Sequence, residues 1–309
     1  MTKYVKLYVG RNNIMKGLGR IMKIKAMLKL MRPKQWIKNF FVFAAIIFSG
    51  KFFDLQILKL NIITFILFSL TSSSIYIIND IIDIDKDRCH PQKKKRPLAS
   101  GELKKASAIA LDIVLIIIVS LISYKFLNYK IYIIFAMYFI VNILYCFILK
   151  NLVIIDVMVI TFCFVLRVES GSLTTGVSVS SWLFLCTILL ALFLAINKRK
   201  SEIITLKDKS STHRAILKEY SIPLLDKMLT TVTPSILISY CLYTFSSTQS
   251  KNMMYTIPFV MYGIFRYQYL MEKENIGGKP EDVFEKDIRF LINMILWILS
   301  VVIIIYFKF

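Results

Sequence analysis

Apolar segments of membrane-spanning length recur along this chain and constrain its fold more than any other feature. They lie at about 36–50, 61–82, 107–126, 130–149, 152–171, 181–197, 229–247, 253–271 and 288–307, and about 20 apolar residues of helix cross a bilayer core. The expected fold is all-α: a polytopic membrane protein with nine transmembrane helices forming one domain over residues 36–309, preceded by a basic arm over 1–35. Composition agrees, because 57% of the 309 residues are hydrophobic while the formal net charge is +21. A soluble protein of this size could not cover so much apolar surface. The arm lacks an early apolar core, so no cleavable leader is expected. Its Met22–Met31 part, MKIKAMLKLM, has the pattern of an amphipathic helix lying on the membrane surface.

The charge sits between the apolar blocks and fixes an orientation. With the N-terminus inside, residues 1–38 carry 11 Lys and Arg, 83–105 carry 8, 198–227 carry 8 and 266–289 carry 5. The opposite loops hold only Lys51 and Lys59, then Lys125 and Lys130, then none in 172–180, then Lys251. Short cytoplasmic loops are enriched in Lys and Arg, so the expectation is a plasma-membrane protein with a cytoplasmic N-terminus, an external C-terminus and its polar chemistry on the cytoplasmic face. The same rule accounts for the basic charge without nucleic acid, which is not expected as a partner. The five cysteines show no metal-ligand spacing; Cys146, Cys163, Cys186 and Cys241 lie inside apolar segments, as small buried hydrophobes do.

One polar stretch stands out. Ile77–Gly101 reads IINDIIDIDKDRCHPQKKKRPLASG: an apolar segment runs into a group of aspartates and then a basic loop. If its start is helical, each residue advances by about 100°, which puts Asp83 near 40°, Asp87 near 80° and Asp80 near 100° from Asn79. Asp85, near 240° on the same count, falls outside the face. Carboxylates crowded on one face repel unless a cation lies among them, and hard oxygen ligands suit Mg²⁺ shared with substrate phosphates. The alternative is a solvated acidic helix end. Beyond it, Pro91 and Pro97 break helix and fix a loop. In that loop Lys94 and Arg96 are suited to phosphate oxygens, or else the loop grips anionic lipid.

Other polar positions are fewer. Asn197-Lys198-Arg199-Lys200 and Glu202 close the sixth apolar segment, and a cation paired with Glu202 there would clamp a phosphate or serve as a stop-transfer cluster. Asp208, His213, Glu219 and Asp226 follow, Asp226 lying just before the seventh segment. Charges within a span merit a functional hypothesis. Asp156 lies near the cytoplasmic end of the fifth segment, while Arg167 and Glu169 lie near its outer end, where a structural or snorkelling role competes with catalysis. Asn142 and Tyr145, before the turn at Lys150, are candidates for further polar contacts. Arg266-Tyr267, Gly277-Gly278-Lys279-Pro280-Glu281-Asp282 and Asp287 form the last polar stretch, either a lid or a surface connection.

The run Asn79-Asp80-x-x-Asp83-x-x-x-Asp87 resembles the first aspartate-rich motif of the UbiA superfamily of intramembrane prenyltransferases, whose members have nine transmembrane helices around a central cavity. Arg32-Pro33-x-Gln35-Trp36-x-Lys38-Asn39 and His90-Pro91-x-x-Lys94-x-Arg96-Pro97-x-Ala99-Ser100-Gly101 are similar to its decaprenyl-phosphate phosphoribosyltransferase branch. So are Lys150 with Asp156 and Arg167, and Arg266-Tyr267 with Gly278-x-Pro280-Glu281 and Asp287. The broad family carries a second aspartate-rich motif after the sixth span. Here Asn197-Lys198-Arg199-Lys200-Ser201-Glu202 stands in its place, similar to the Lys-Arg-x-x-Glu pattern of the phosphoribosyl branch.

The resemblance implies Mg²⁺-dependent transfer of 5-phosphoribosyl from phosphoribosyl diphosphate (PRPP) to a polyprenyl phosphate, with release of diphosphate. It implies metal ligation by Asp80, Asp83 and Asp87. Substrate contacts would come from Lys38, Asn79, Lys94 and Arg96 and from Asn142, Tyr145, Lys150 and Asp156. Lys198, Arg199, Glu202 and Arg266 would complete them. Self-association is left open. Two other readings are an intramembrane prenyltransferase that takes a prenyl diphosphate and a small acceptor, and a transporter. Against the transporter stand the absence of a clear internal repeat and the gathering of polar residues on one face.

Overall fold

In a computed structural model, residues 22–89, 93–177, 179–206, 215–246, 250–274, 278 and 280–307 are described. The described residues are helical with no strand. After helix α1 (22–31) come a 3-10 stretch Pro33–Phe43 and α2 (Ala44–Phe48). Then follow α3 (Leu55–Ile82), α4 (Ile84–Cys89), α5 (Lys105–Phe126), α6 (Tyr129–Phe147), α7 (Ile155–Thr175), α8 (Ser181–Leu206), α9 (Ile222–Phe245), α10 (Ile257–Glu274), α11 (Pro280–Lys286) and α12 (Ile288–Phe307).

Seven of these, α3, α5, α6, α7, α8, α9 and α12, are long and apolar enough to cross a membrane among the described residues. The expected nine are therefore not all reached by length and composition. The first expected span, 36–50, is not a continuous α-helix but an 11-residue 3-10 stretch followed by the 5-residue α2. At a rise of about 2.0 Å per residue in 3-10 geometry and about 1.5 Å in α, the two together still cover roughly 30 Å. The other expected span becomes α10, whose Arg266, Gln268 and Lys273 lower its hydropathy.

The chain divides into two compact units: the described part of Met1–Trp36 with Ser69–Ile122, and Ile37–Phe68 with Ser123–Phe309. In the first unit Leu30, Ile77, Leu98, Leu103, Ala108 and Leu115 form the core. The amphipathic pattern of α1 is divided between this core and the outside. Ala26 and Leu30 are buried, whereas Met22, Ile24 and Leu28 are exposed beside Lys23, Lys25 and Lys29. Ser73 Oγ donates to the Met31 carbonyl (2.8 Å) and accepts from Trp36 Nε1 (3.0 Å), which ties the end of α1 to α3. A run of small hydroxyl residues permits such close approach.

In the second unit α8 packs against α7 and α9, and a core shared by α8, α9 and α10 includes Phe193, Ile196, Leu225, Ile236, Ile264 and Leu270. α7 owes its fit to a glycine. A Cβ on Gly171 would stand 1.9 Å from the Val42 carbonyl oxygen, so only glycine lets the 33–43 stretch lie against this helix. Arg167 fastens the same pair of elements. It is buried, and it donates to Asn39 Oδ1 (2.7 Å), the Cys163 carbonyl (2.6 Å) and Tyr138 OH (2.7 Å). Its guanidinium also lies over the rings of Phe68, Tyr138 and Phe164. Of the alternatives the sequence left open for Arg167, this geometry is the structural one: its donors go to neutral acceptors and its charge to aromatic faces.

Candidate active site

Two charged clusters hold most of the expected site residues, one in each unit. In the first, α3 carries Asn79 and Asp80 to its C-terminal end, Asp83 is the turn residue, and α4 carries Asp87. Asp80 and Asp87 are buried, at 2% and 3% exposure. A single nitrogen joins them: Arg96 Nη1 donates to Asp80 Oδ1 at 3.0 Å and to Asp87 Oδ2 at 2.6 Å. Two carboxylate oxygens within reach of one atom converge on one point, which is what a shared cation requires. Asp80 Oδ1 also accepts from Arg32 Nη2, and the Arg32 guanidinium lies 4.9 Å from the centre of the Tyr76 ring.

The basic loop is fixed over this acidic face rather than free at the surface. Arg96 closes the short 3-10 turn Lys93–Lys95 through its amide bond to the Lys93 carbonyl (2.9 Å). Downstream, Leu98 and Leu103 sink into the core, and Gly101 makes the return turn at φ 82°. The loop is thus packed into the first unit's core with Arg96 paired to both aspartates. Lys94 is exposed, and Asp85, expected outside the face, is exposed and pairs with Arg88 (3.1 Å). His90 and Pro91 lie outside the described residues.

The three-carboxylate set is not assembled as expected. Asp83 is only half-buried, and among the described residues no group of three or more His, Cys, Asp or Glu gathers as a metal cage. The helix breaks at Asp83 between α3 and α4, so the angular count made for one unbroken helix does not carry through it. The pair that remains suits Mg²⁺, which commonly binds through one or two carboxylates and completes its octahedron with waters and substrate phosphates.

In the second unit the hub is Arg199, which has no exposed surface. Its Nε donates to Asp156 Oδ2 (2.5 Å), Nη1 to Glu202 Oε2 (2.5 Å) and Nη2 to Tyr145 OH (2.8 Å). Tyr220 OH donates to the other Asp156 oxygen (2.6 Å) and accepts from the Ile154 amide (2.7 Å). Ile154 has φ 69°, which for a β-branched residue marks strain; the Tyr220 bond holds it there, at the start of α7. Burial, and then the bond to Asp156, raise the Tyr220 phenol above its usual value and keep it a donor.

Sequence reasoning assigned Arg199 to a phosphate. The structure commits all three of its nitrogens within the protein, because burial at zero exposure demands carboxylate partners. Arg199 therefore sets the positions of Asp156, Tyr145 and Glu202. Lys198, on another face of α8, is half-buried. Lys200 is held by Asp226 (2.8 Å) and Glu272, which gives Asp226 a partner on α8.

The remaining expected residues spread around this hub or away from it. Lys38 pairs with Glu281 (3.3 Å) at the start of α11. Just before α11 the chain passes close to α8, since a Cβ on Gly278 would stand 2.2 Å from Ser201 Oγ. Arg266 grips Asp287, with Nη2 to Oδ2 at 2.5 Å, and Asp287 Oδ1 accepts from the Phe290 amide (2.6 Å) and caps α12. The Arg266 bond, followed by this cap, holds the Asp287 carboxyl below its ordinary value, against the effect of burial. Asn142 turns to the Tyr138 carbonyl (2.7 Å) and Cys163 Sγ (3.3 Å), and Lys150 sits in the 3-10 turn Leu149–Asn151.

Two participants escaped the sequence reading. Tyr220 had no signal, because only folding brings it to Asp156 across 64 residues. Arg32 stood in a quoted motif, but nothing local connected it to an aspartate 48 residues away.

Comparison with known proteins matches residues 39–306 to the UbiA prenyltransferase family. A protein of Mycolicibacterium smegmatis named decaprenyl-phosphate phosphoribosyltransferase is 29% identical over 92% of this chain and 94% of its own length. One of the same name from Corynebacterium glutamicum is 28% identical over 91% and 86%. Among solved structures, a UbiA homolog from Archaeoglobus fulgidus bound to GPP and Mg²⁺ is similar with a TM-score of 0.69 at 19% identity, covering 90% of this chain and 99% of that one. A structure described as digeranylgeranylglyceryl phosphate synthase is similar with a TM-score of 0.63 at 20% identity, over 93% and 99%. With its apolar spans and a match across most of its length, the chain is an integral membrane protein that belongs to the UbiA prenyltransferase family.

Proposed function

We propose that this protein transfers the 5-phosphoribosyl group of PRPP to a polyprenyl phosphate and releases diphosphate. The observation that carries the reading is the contrast between the two helix ends. The end of α3 and the following turn bring two carboxylates to one point. The end of α8, where the broad family has a second acidic motif, instead presents Lys198, Arg199 and Lys200, with Arg199 and Lys200 tied to carboxylates. One acidic pair suits one metal-bound diphosphate, and basic residues in place of the second acidic motif, themselves paired with carboxylates, argue against a second metal site there. The relatives named decaprenyl-phosphate phosphoribosyltransferase support the same assignment.

On this reading Asp80 and Asp87 would hold the divalent cation in the place between their oxygens that Arg96 Nη1 fills. A bound Mg²⁺ supplies charge neutralisation for the departing diphosphate. Lys94 takes a PRPP phosphate from the solvent side, and the acceptor is the lipid phosphate. An oxygen of that phosphate forms the new bond to ribose C1 as the C1–diphosphate bond breaks. A phosphate monoester is ionised near neutral pH, so no general base is needed. Preset cations stabilise charge where it develops. The Lys and Arg asymmetry between loops supports a plasma-membrane location with PRPP arriving from the cytoplasm.

The test is incubation of purified protein with Mg²⁺, labelled PRPP and a polyprenyl phosphate. Label entering the lipid fraction is the expected result. Lipid-linked product formed only from a prenyl diphosphate and a small acceptor refutes it.

A further inference from the structure

We propose that Arg32 is an exchangeable partner of Asp80, which competes with a divalent cation for that carboxylate and passes to a phosphate of the donor substrate once the cation holds it. The inference rests on the metal-and-diphosphate reading above and adds a residue to it.

Asp80 Oδ1 accepts from two guanidinium groups, Arg32 Nη2 and Arg96 Nη1. A carboxylate oxygen offers about two lone-pair directions, and both are in use. A cation bound by this oxygen therefore displaces one arginine. Arg96 Nη1 stands between Asp80 and Asp87 and has to shift from that point, but its loop is pinned by buried Leu98 and Leu103, so Arg32 is the partner able to leave the acidic face altogether. Arg32 meets Asp80 through one nitrogen and no second carboxylate; the two arginine side chains are equally exposed, so the number of bonds and the pinned loop make the difference. The face of Tyr76, 4.9 Å from its guanidinium carbon, gives the released cation a nearby resting place.

The backbone points the same way. Arg32 has φ 53°, a left-handed conformation for a non-glycine residue, between α1 and Pro33. Such strain concentrates at ligand clamps and switch positions, and here it aims the side chain at the acidic face. With a divalent cation on Asp80 and Asp87, the two arginines leave the group net positive, which favours a polyanion. The planar fork of arginine matches phosphate oxygens in pairs.

The experiment measures Mg²⁺ binding by calorimetry on the full-length, detergent-solubilised protein without substrate, and PRPP kinetics separately. Wild type binds Mg²⁺ and Asp80→Asn does not. Arg32→Gln removes the competitor and lowers the Mg²⁺ Kd roughly tenfold or more, the worth of a hydrogen bond to a charged group net of solvation. At saturating Mg²⁺ the same variant raises the PRPP KM roughly tenfold or more, with a smaller change in kcat. Arg32→Lys keeps the charge without the fork and falls between the two; it carries the comparison if Arg32→Gln does not fold. Arg88→Gln removes an equal charge from an exposed site and leaves the Mg²⁺ Kd unchanged, which separates competition from general electrostatics. Mg²⁺ affinity that is unchanged or weaker in the Arg32 variants overturns the exchange, and tighter Mg²⁺ binding with an unaltered PRPP KM overturns the transfer to phosphate. A wild type whose Mg²⁺ binding does not depend on Asp80 instead overturns the metal reading beneath both.

Discussion

Replacing Asp156 by alanine tests the hub of the second cluster. Asp156 and Arg199 side chains both have zero exposure, and their partners are fully specified: Asp156 takes Arg199 Nε and Tyr220 OH, and Arg199 also reaches Glu202 and Tyr145. Without Asp156 the guanidinium stays buried and keeps one carboxylate, Glu202, whose side chain is 30% exposed. Removing one member of a buried ion pair costs about 3–5 kcal/mol, and the surviving Glu202 places this case near the lower end. Each kcal/mol shifts Tm by roughly 2–4 °C in chains of 150–250 residues, so a fall of about 6 °C is expected. Thermal unfolding in detergent, followed by loss of the monodisperse species, measures it. The double variant Asp156→Leu with Arg199→Met removes both charges and should recover most of the lost stability, as apolar replacement of buried pairs does. It should not recover turnover, since Tyr145 and Glu202 lose the group that positions them. An Asp156→Ala protein that melts with wild type, or a double variant less stable than the single one, refutes the reasoning.

Gly171→Ala should prevent accumulation of folded protein, because its Cβ meets a backbone oxygen at 1.9 Å; Gly278→Ala should be milder, because there the neighbour is the rotatable Ser201 side chain. Size-exclusion yield separates the two. Asp287 has its carboxyl depressed in the folded state, so its contribution is present above the unfolded value near 3.9 and is lost as pH falls through the lower folded value. Asp287→Asn should lower Tm at pH 7 and flatten its decline in acid, measured as Tm against pH. Asp80→Asn should abolish PRPP turnover with folded protein retained, and chelation of Mg²⁺ should do the same to wild type. Asp83→Asn, outside the convergent pair, should leave measurable activity; equal loss in both variants would place Asp83 in the metal shell.

Hydropathy alone determined that this chain lives in a bilayer and is helical, because lipid leaves no other way to satisfy the backbone of an isolated apolar block. The acidic stretch Asn79, Asp80, Asp83 and Asp87 was also readable, since its residues are near neighbours, and Asp80 and Asp87 meet at Arg96 although the helix breaks at Asp83 between them. The helical count went astray in two places: the chain turns at Asp83, and residues 33–43 wind as 3-10, with Val42 against Gly171 and Asn39 accepting from Arg167. Pairings across long stretches of chain were beyond sequence reasoning. Arg32 with Asp80, Arg199 with Asp156, and Tyr220 with both Asp156 and Ile154 depend on which helices pack side by side. The sequence told which residues carry charge into an apolar environment; burial then required each charge to find a partner, and only the tertiary structure decided which one.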